Sequence, residues 1–377
     1  MSFAYDGLLD EPAALAAADP GDMLRATADA GAQIRRSVAN IDLASLAVIA
    51  ADGRPRALLV AGMGGSGISG DVLAAVCGPG CSLPVSTVRG YVLPGWVGPL
   101  DLVIAVSCSG ETEETLAVAQ EAAKRGSRLV GVGAVGSALH ELVLATSGAF
   151  FIPVDAGGLM PRASLWLLAT PLLLLADAIG IVNISLSEFD RAADLLDEIA
   201  VECGPSVPLD DNRAKLLGAA ISTSLPMTWG TSPIGGVASY RLACQLNENA
   251  KMPVVQGALP EVNHNQVVAF DGGFAGRNED VFRDPFEDGA APARLRLVLL
   301  RDSEEHPQDA RRADVSTDIA VSRDIPVDTL RAVDGHALVR LASLIGVVDW
   351  ASVYAALAQG LDPSPIGPIR ELKARIV

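Results

Sequence analysis

Aromatic side chains are scarce in this chain. Phe, Trp and Tyr together make up 4% of 377 residues, although half of all residues are hydrophobic. The core must therefore be built from Ala, Val, Leu and Ile, and so large an apolar share excludes wholesale disorder. Cations are also in short supply: 28 Lys and Arg face 45 Asp and Glu, a formal net charge of −17. Phosphate backbones need clustered cations, so no nucleic-acid partner is expected. A small phosphorylated ligand is still allowed, because backbone amides hold a phosphate without net positive charge. Cysteine is sparse and odd in number. Cys77, Cys81, Cys108, Cys203 and Cys244 show no framework spacing, which points to a reducing, cytoplasmic setting. Cys77 and Cys81 could supply half a metal site, but no second Cys/His pair lies nearby. Membrane signals are missing too. Met1 to Pro12 has neither a basic region nor an apolar core, so no signal peptide is expected. The most apolar stretch, Leu165 to Ile181, contains Pro171 and Asp177 and is too short for a bilayer of about 30 Å. It reads as a buried helix.

What is present is an alternation. Short apolar runs at Ala57–Ala61, Leu102–Val106, Arg128–Val132 and Phe150–Val154 alternate with helical stretches at Ser69–Cys77 and Glu113–Arg125. That pattern predicts a parallel sheet with helices on both faces. A second block repeats the plan less clearly, with strands at Pro226–Trp229, Leu295–Leu300 and Val327–Ala332 and helices at 187–203 and Ile234–Asn249. Asp271 to Pro292, rich in Gly, Pro, Asp and Glu, reads as a surface insertion. The length fits two domains of about 150 residues each. The expected organisation is an N-terminal helical segment over 1–50, a first α/β domain over 51–185, a second over 186–360 and a tail over 361–377. The tail follows an apolar helix at Ala337–Leu357 and a Pro-rich elbow at Asp362–Pro368.

Three motifs carry chemistry. The first, Gly62-Met63-Gly64-Gly65-Ser66-Gly67, follows a strand run and opens a helix. Its glycines let the backbone approach a ligand and present amides at a helix N-terminus. A tight turn packed for structural reasons would explain them as well. The spacing also fits a dinucleotide fingerprint, but Arg89 and Gly90 end the second strand where a ribose-binding acid would stand. The second motif, Ser107-Cys108-Ser109-Gly110-Glu111-Thr112, places three hydroxyls before a helix. They form a neutral phosphate cradle favoured by the helix dipole. Helix capping would account for Thr112 or Ser109, but not for all three. Cys108 reads as a packing residue. The third motif runs from Arg241 to Lys251 and on to Asn263-His264-Asn265. Gln245, Asn247, Glu248 and Asn249 crowd the end of an apolar helix, so some must point inward and find partners. Glu248 and His264 together suit proton abstraction beside a carbonyl. The chain has four His and four Lys, and His264 and Lys251 both fall here.

These motifs, with Pro161-Arg162, the Asp362-Pro363-Ser364-Pro365 elbow and Leu372-Lys373, resemble the sugar isomerase (SIS) superfamily. The resemblance is to the bifunctional phosphoglucose/phosphomannose isomerase family, and within it to the actinobacterial TobH-like members. It spans about residues 20 to 377 and implies two tandem SIS domains. It further implies that Gly64, Gly65 and Ser66 line a sugar site, and that Ser107, Ser109 and Thr112 hold the substrate phosphate. Arg162 would steady the developing enediolate, and Glu248 would carry the proton between the first two sugar carbons. His264, reaching in from the partner of a homodimer, and Lys373 would open the ring. The implied reaction interconverts glucose 6-phosphate or mannose 6-phosphate with fructose 6-phosphate through a cis-enediol. It needs no metal or organic cofactor, since the neighbouring carbonyl supplies the acidity. Glu111 and Cys108 stand where the family usually has Asn and an aromatic residue. A carboxylate beside a bound phosphate repels it unless it points away. The alternative expectation is a sugar-phosphate sensor that kept the cradle and lost the chemistry.

Overall fold

The computed structural model describes residues 7–275 and 294–376. Two compact units divide them: Asp29–Asp197 with His336–Val339, and Met1–Ala28 with Glu198–Gly335 and Arg340–Val377.

The first unit holds five parallel strands: β1 (Leu58–Ala61), β2 (Val85–Val88), β3 (Leu102–Ser107), β4 (Arg128–Gly133) and β5 (Phe150–Pro153). They lie in the order β2-β1-β3-β4-β5. β1 and β3 are buried throughout, as their unbroken apolar runs require when helices cover both faces. Beneath one face Leu59, Ala61, Val103 and Ala105 pack against Val118, Ala119, Ala122 and Val143 of the flanking helices. The helix Gly64–Cys77 leads from β1 to β2, and Glu113–Lys124 leads from β3 to β4 on the other side. The strand order therefore reverses between β1 and β3, and a crevice opens at their carboxyl ends, where open α/β sheets take ligands.

The second unit repeats the device with β6 (Ser224–Gly230), β7 (Val255–Ala258), β8 (Arg294–Arg301) and β9 (Val327–Arg331), ordered β7-β6-β8-β9 and again parallel. Pro233–Asn249 connects β6 to β7 and Pro307–Val321 connects β8 to β9, so its reversal lies between β6 and β8.

The structure departs from the sequence expectation in several elements. β2 (Val-Ser-Thr-Val) and β7 (Val-Gln-Gly-Ala) are four-residue strands without full burial, so they lack the apolar run that marks an interior strand. The first helix begins at Gly64 rather than Ser69. Glycine disfavours helix, but a Cβ on Gly65 would stand 2.8 Å from the Pro161 carbonyl oxygen, and one on Gly70 would stand 2.7 Å from Thr87 Oγ1. Close packing there outweighs propensity. The described part of the N-terminal segment holds the single turn Leu8–Asp10 and four α-helices, Pro12–Ala18, Met23–Ala28, Ala30–Asn40 and Leu43–Ala51, with Asp19 accepting from the amides of Met23 and Leu24 to start the second. Leu165–Ala178 is the buried helix expected; among the described residues one helix, Ala337–Ala358, is long and apolar enough to cross a membrane, and its most apolar window is buried inside the protein. Of the expected insertion, Asp271 closes the short turn Gln266–Asp271, and residues 276–292 lie outside the described residues.

Candidate functional site

In the first unit the two Gly/Ser motifs meet the crevice from both of its sides. β3 ends at Ser107, and the next helix starts at Glu113 with Thr112 at its N-cap position. Thr112 does not cap that helix. Its Oγ1 lies 2.8 Å from Ser107 Oγ, and Ser107 Oγ accepts from the Gly110 amide at 3.0 Å. Ser109 Oγ accepts from the Glu111 amide at 3.2 Å and is itself exposed. Gly110 has φ +71°, and a Cβ on it would stand 1.9 Å from Ser137 Oγ, so only glycine allows this loop to close. The helix Gly64–Cys77 likewise starts without a side-chain cap. Two helix N-termini thus reach one crevice with no side chain of their own bonded to the first amides, which leaves favourable dipoles and donors for an anion.

Arg162 joins the glycine motif. It sits on the single turn Pro161–Ala163, is 3% exposed, and has its Cα 3.8 Å from the position a Gly65 Cβ would take. Ser66 is buried, and its carbonyl accepts from Ser69 Oγ at 2.6 Å. Burial pushes the Cys108 thiol above its usual range, against a smaller opposing effect of a hydrogen bond with Ser164. A neutral thiol is a packing group rather than a nucleophile.

Two of the carboxylates around the cradle have other partners. Glu111 turns away and accepts from the Ala138 amide at 2.9 Å, at the first turn of the helix Ala138–Leu144. Asp71 is paired with Arg89 and accepts from Thr87 Oγ1 at 2.8 Å. Burial, and then the charges of the nearby Glu113 and Glu114, push the Tyr91 hydroxyl above its usual range. The Glu111 carboxylate is therefore taken up by a helix start and not aimed at the cradle. Sequence reasoning missed Arg89 and Tyr91 as neighbours of these carboxylates. Both lie just past β2, an edge strand with no periodic signal.

In the second unit, Glu248 stands in the last turn of Pro233–Asn249. A polar seam fixes the rotation of that helix. Arg241 is fully buried and pairs with Asp349 through Nε at 2.8 Å and Nη2 at 2.9 Å. Two turns on, Asn249 Nδ2 donates to Ser352 Oγ at 2.9 Å. With Arg241, Gln245 and Asn249 turned inward, Glu248 is rotated about 100° away, onto the half-buried margin. Lys251 follows with φ +56°, and its Nζ donates to the carbonyls of Asn249, Asp362 and Pro363. His264 lies exposed on the turn Glu261–His264. Its neighbours are anchored: Asn263 Nδ2 donates to Ser316 Oγ at 2.8 Å, and Asn265 Nδ2 donates to Glu261 at 2.9 Å. Lys373 is exposed on the helix Gly367–Arg375. Glu248, His264 and Lys373 thus belong to the second unit, whereas Arg162 and the cradle belong to the first.

The crevice of the second sheet is closed. Ser232 caps its helix through the Gly235 amide at 3.1 Å, and Ser232 Oγ donates to Asp302 Oδ2 at 3.0 Å. Arg340 Nε reaches Asp302 Oδ1 at 2.8 Å. Among the described residues, no group of three or more His, Cys, Asp or Glu is placed to hold a metal ion.

Comparisons with known proteins bear on the family and the fold. Residues 210–376 match the family model described as the bacterial phospho-glucose isomerase C-terminal SIS domain. The chain is 31% identical over 319 residues to a bifunctional phosphoglucose/phosphomannose isomerase from Caldicellulosiruptor bescii, covering 85% of this chain and 89% of the relative. Among solved structures, a hypothetical protein from Thermus thermophilus superposes with TM-score 0.67 at 16% identity, covering 98% of this chain and 94% of that one. The C-terminal domain of glucosamine-fructose-6-phosphate aminotransferase from Francisella tularensis gives TM-score 0.63 at 14% identity, covering 91% of this chain and 98% of the other. At these identities the solved structures speak for the fold alone.

Proposed function

Because this chain belongs to the bifunctional phosphoglucose/phosphomannose isomerase family, we propose that it interconverts an aldose and a ketose hexose 6-phosphate, with fructose 6-phosphate as the ketose. One observation supports this reading most: Thr112 leaves its own helix uncapped and its hydroxyl meets that of Ser107 at the crevice, on the loop that also carries Ser109. A dianion held there by hydroxyl and amide donors keeps its charge without a salt bridge. Arg162, beside Gly65, supplies a fixed cation for the oxyanion that develops next to the carbonyl.

Glu248 is the proposed base. A proton α to a carbonyl is acidic enough for a carboxylate to move between the first and second carbons through a cis-enediol. His264 and Lys373 are the proposed ring-opening pair, with His264 acting in the site of a second copy in a homodimer. Its exposure on a turn held by its two asparagine neighbours favours that role.

A coupled assay that detects glucose 6-phosphate and mannose 6-phosphate formed from fructose 6-phosphate tests the reading. The wild type should turn over, and Glu248→Gln should lose roughly 10²- to 10⁴-fold in kcat while still binding fructose 6-phosphate. Binding without turnover by the wild type, with no change in Glu248→Gln, would establish a sensor instead.

A further inference from the structure

We infer that Lys251 is a positioning residue that sets where Lys373 stands. The kinetic arm of this inference rests on the isomerase reading above. The helix Gly367–Arg375, which carries Lys373, has no buried residue. Apolar packing therefore does not place it, and a nine-residue helix has little stability of its own in water. Its position is inherited from the elbow before it.

That elbow is held at identifiable points. Ser364 is buried, its amide donates to Asp362 Oδ1 at 2.8 Å, and a Cβ on Gly21 would stand 1.8 Å from its Oγ. Lys251 Nζ then donates to the carbonyls of Asp362 at 2.9 Å and Pro363 at 3.1 Å, and to that of Asn249 at 2.9 Å. Three carbonyls from two segments converge on an ammonium that has three protons to give. One of these segments is the end of the helix that bears Glu248, and the other leads into the helix that bears Lys373. The left-handed backbone at Lys251, φ +56°, is uncommon for a residue with a Cβ, and such conformations persist where the surroundings hold them. The clip thus joins the proposed base to the proposed ring-opening lysine. Arginine is a poor substitute, because its planar fork cannot aim three protons at one cluster of carbonyls.

Two variants separate the ammonium from the backbone turn. Lys251→Met keeps the stem without the charge, and Lys251→Gly relieves the left-handed φ without the ammonium. Hydrogen exchange of residues 362–375 in the full-length protein is read beside kcat, KM and the melting temperature. In both variants that segment should exchange at least about 5-fold faster, with the rest of the protein unchanged. The kcat should fall about 10-fold or more with KM within about 3-fold, as a misplaced catalytic group does. Lys251→Met combined with Lys373→Met should lose no more than Lys373→Met alone. Unchanged exchange in both variants, a wild-type Lys251→Gly, or exchange accelerated throughout the protein with a collapsed melting temperature would overturn the inference. If the wild type does not turn over sugar phosphates, the isomerase reading fails, and the exchange of 362–375 alone decides on the clip.

Discussion

Each of the two sheets makes the same topological turn, yet their switch points end in opposite states. After β1 and β3 the chain enters its helices through Met63 and Thr112, and neither side chain caps the helix that follows. After β6 and β8 it enters through Ser232 and His306, and both cap: Ser232 Oγ takes the Gly235 amide and His306 Nδ1 takes the Gln308 amide. The second pair of helices also begins with proline, Pro233 and Pro307, which removes one free amide from each. In the second crevice Asp302 presents a carboxylate to Ser232 on one side and to Arg340 on the other, the place a ligand anion would take. Near the first crevice, by contrast, Asp71 is engaged by Arg89 and Glu111 by the Ala138 amide. Topology makes a crevice; capping and internal charge decide whether a ligand can use it.

The contrast can be broken most severely at Asp302. Asp302→Ala removes the internal anion and leaves Arg340 buried with Glu304, 2.7 Å away, as its remaining carboxylate. Losing one partner of a buried pair costs about 3 kcal/mol or more, and thermal unfolding should show it. Inorganic phosphate should restore part of the lost melting temperature in this variant and not in the wild type, by binding where the carboxylate stood.

A smaller effect is expected at the first crevice. Ser107→Ala with Thr112→Val should raise the Kd for fructose 6-phosphate roughly 10- to 100-fold by removing two hydroxyl donors. Ser232→Ala, the matching change in the second crevice, should leave that Kd unaltered. Titration calorimetry distinguishes the two. The smallest effect is expected at Glu111. Its carboxylate serves the Ala138 amide, so Glu111→Gln should change the Kd by no more than about 2-fold and should lower stability by about 0.5–1 kcal/mol.

Much of this was legible in the residues, for a physical reason. The interior strands β1, β3 and β8 are continuous apolar runs because both of their faces are covered, and the Gly- and Ser-rich turns directly follow such runs. The half-buried strands β2 and β7 carry no such signal. Neither does Pro307–Val321, whose buried positions are the small residues Ala313, Ser316 and Ala320 amid Asp and Arg. The roles of charged residues were least legible, because they depend on contacts distant in sequence. Glu111 reads as a threat to a bound phosphate until Ala138 is seen beside it. Lys251 reads as a candidate for chemistry until its ammonium is found on Asp362 and Pro363, more than a hundred residues away.

The most direct test is a crystal structure with fructose 6-phosphate bound, read for the position of its phosphorus. The expected result is density within about 4 Å of the Ser107, Ser109 and Thr112 hydroxyls, with Asp302 still occupying the second crevice. A phosphate seated beside Ser232 and Arg340, with the first crevice holding only water, would contradict the assignment.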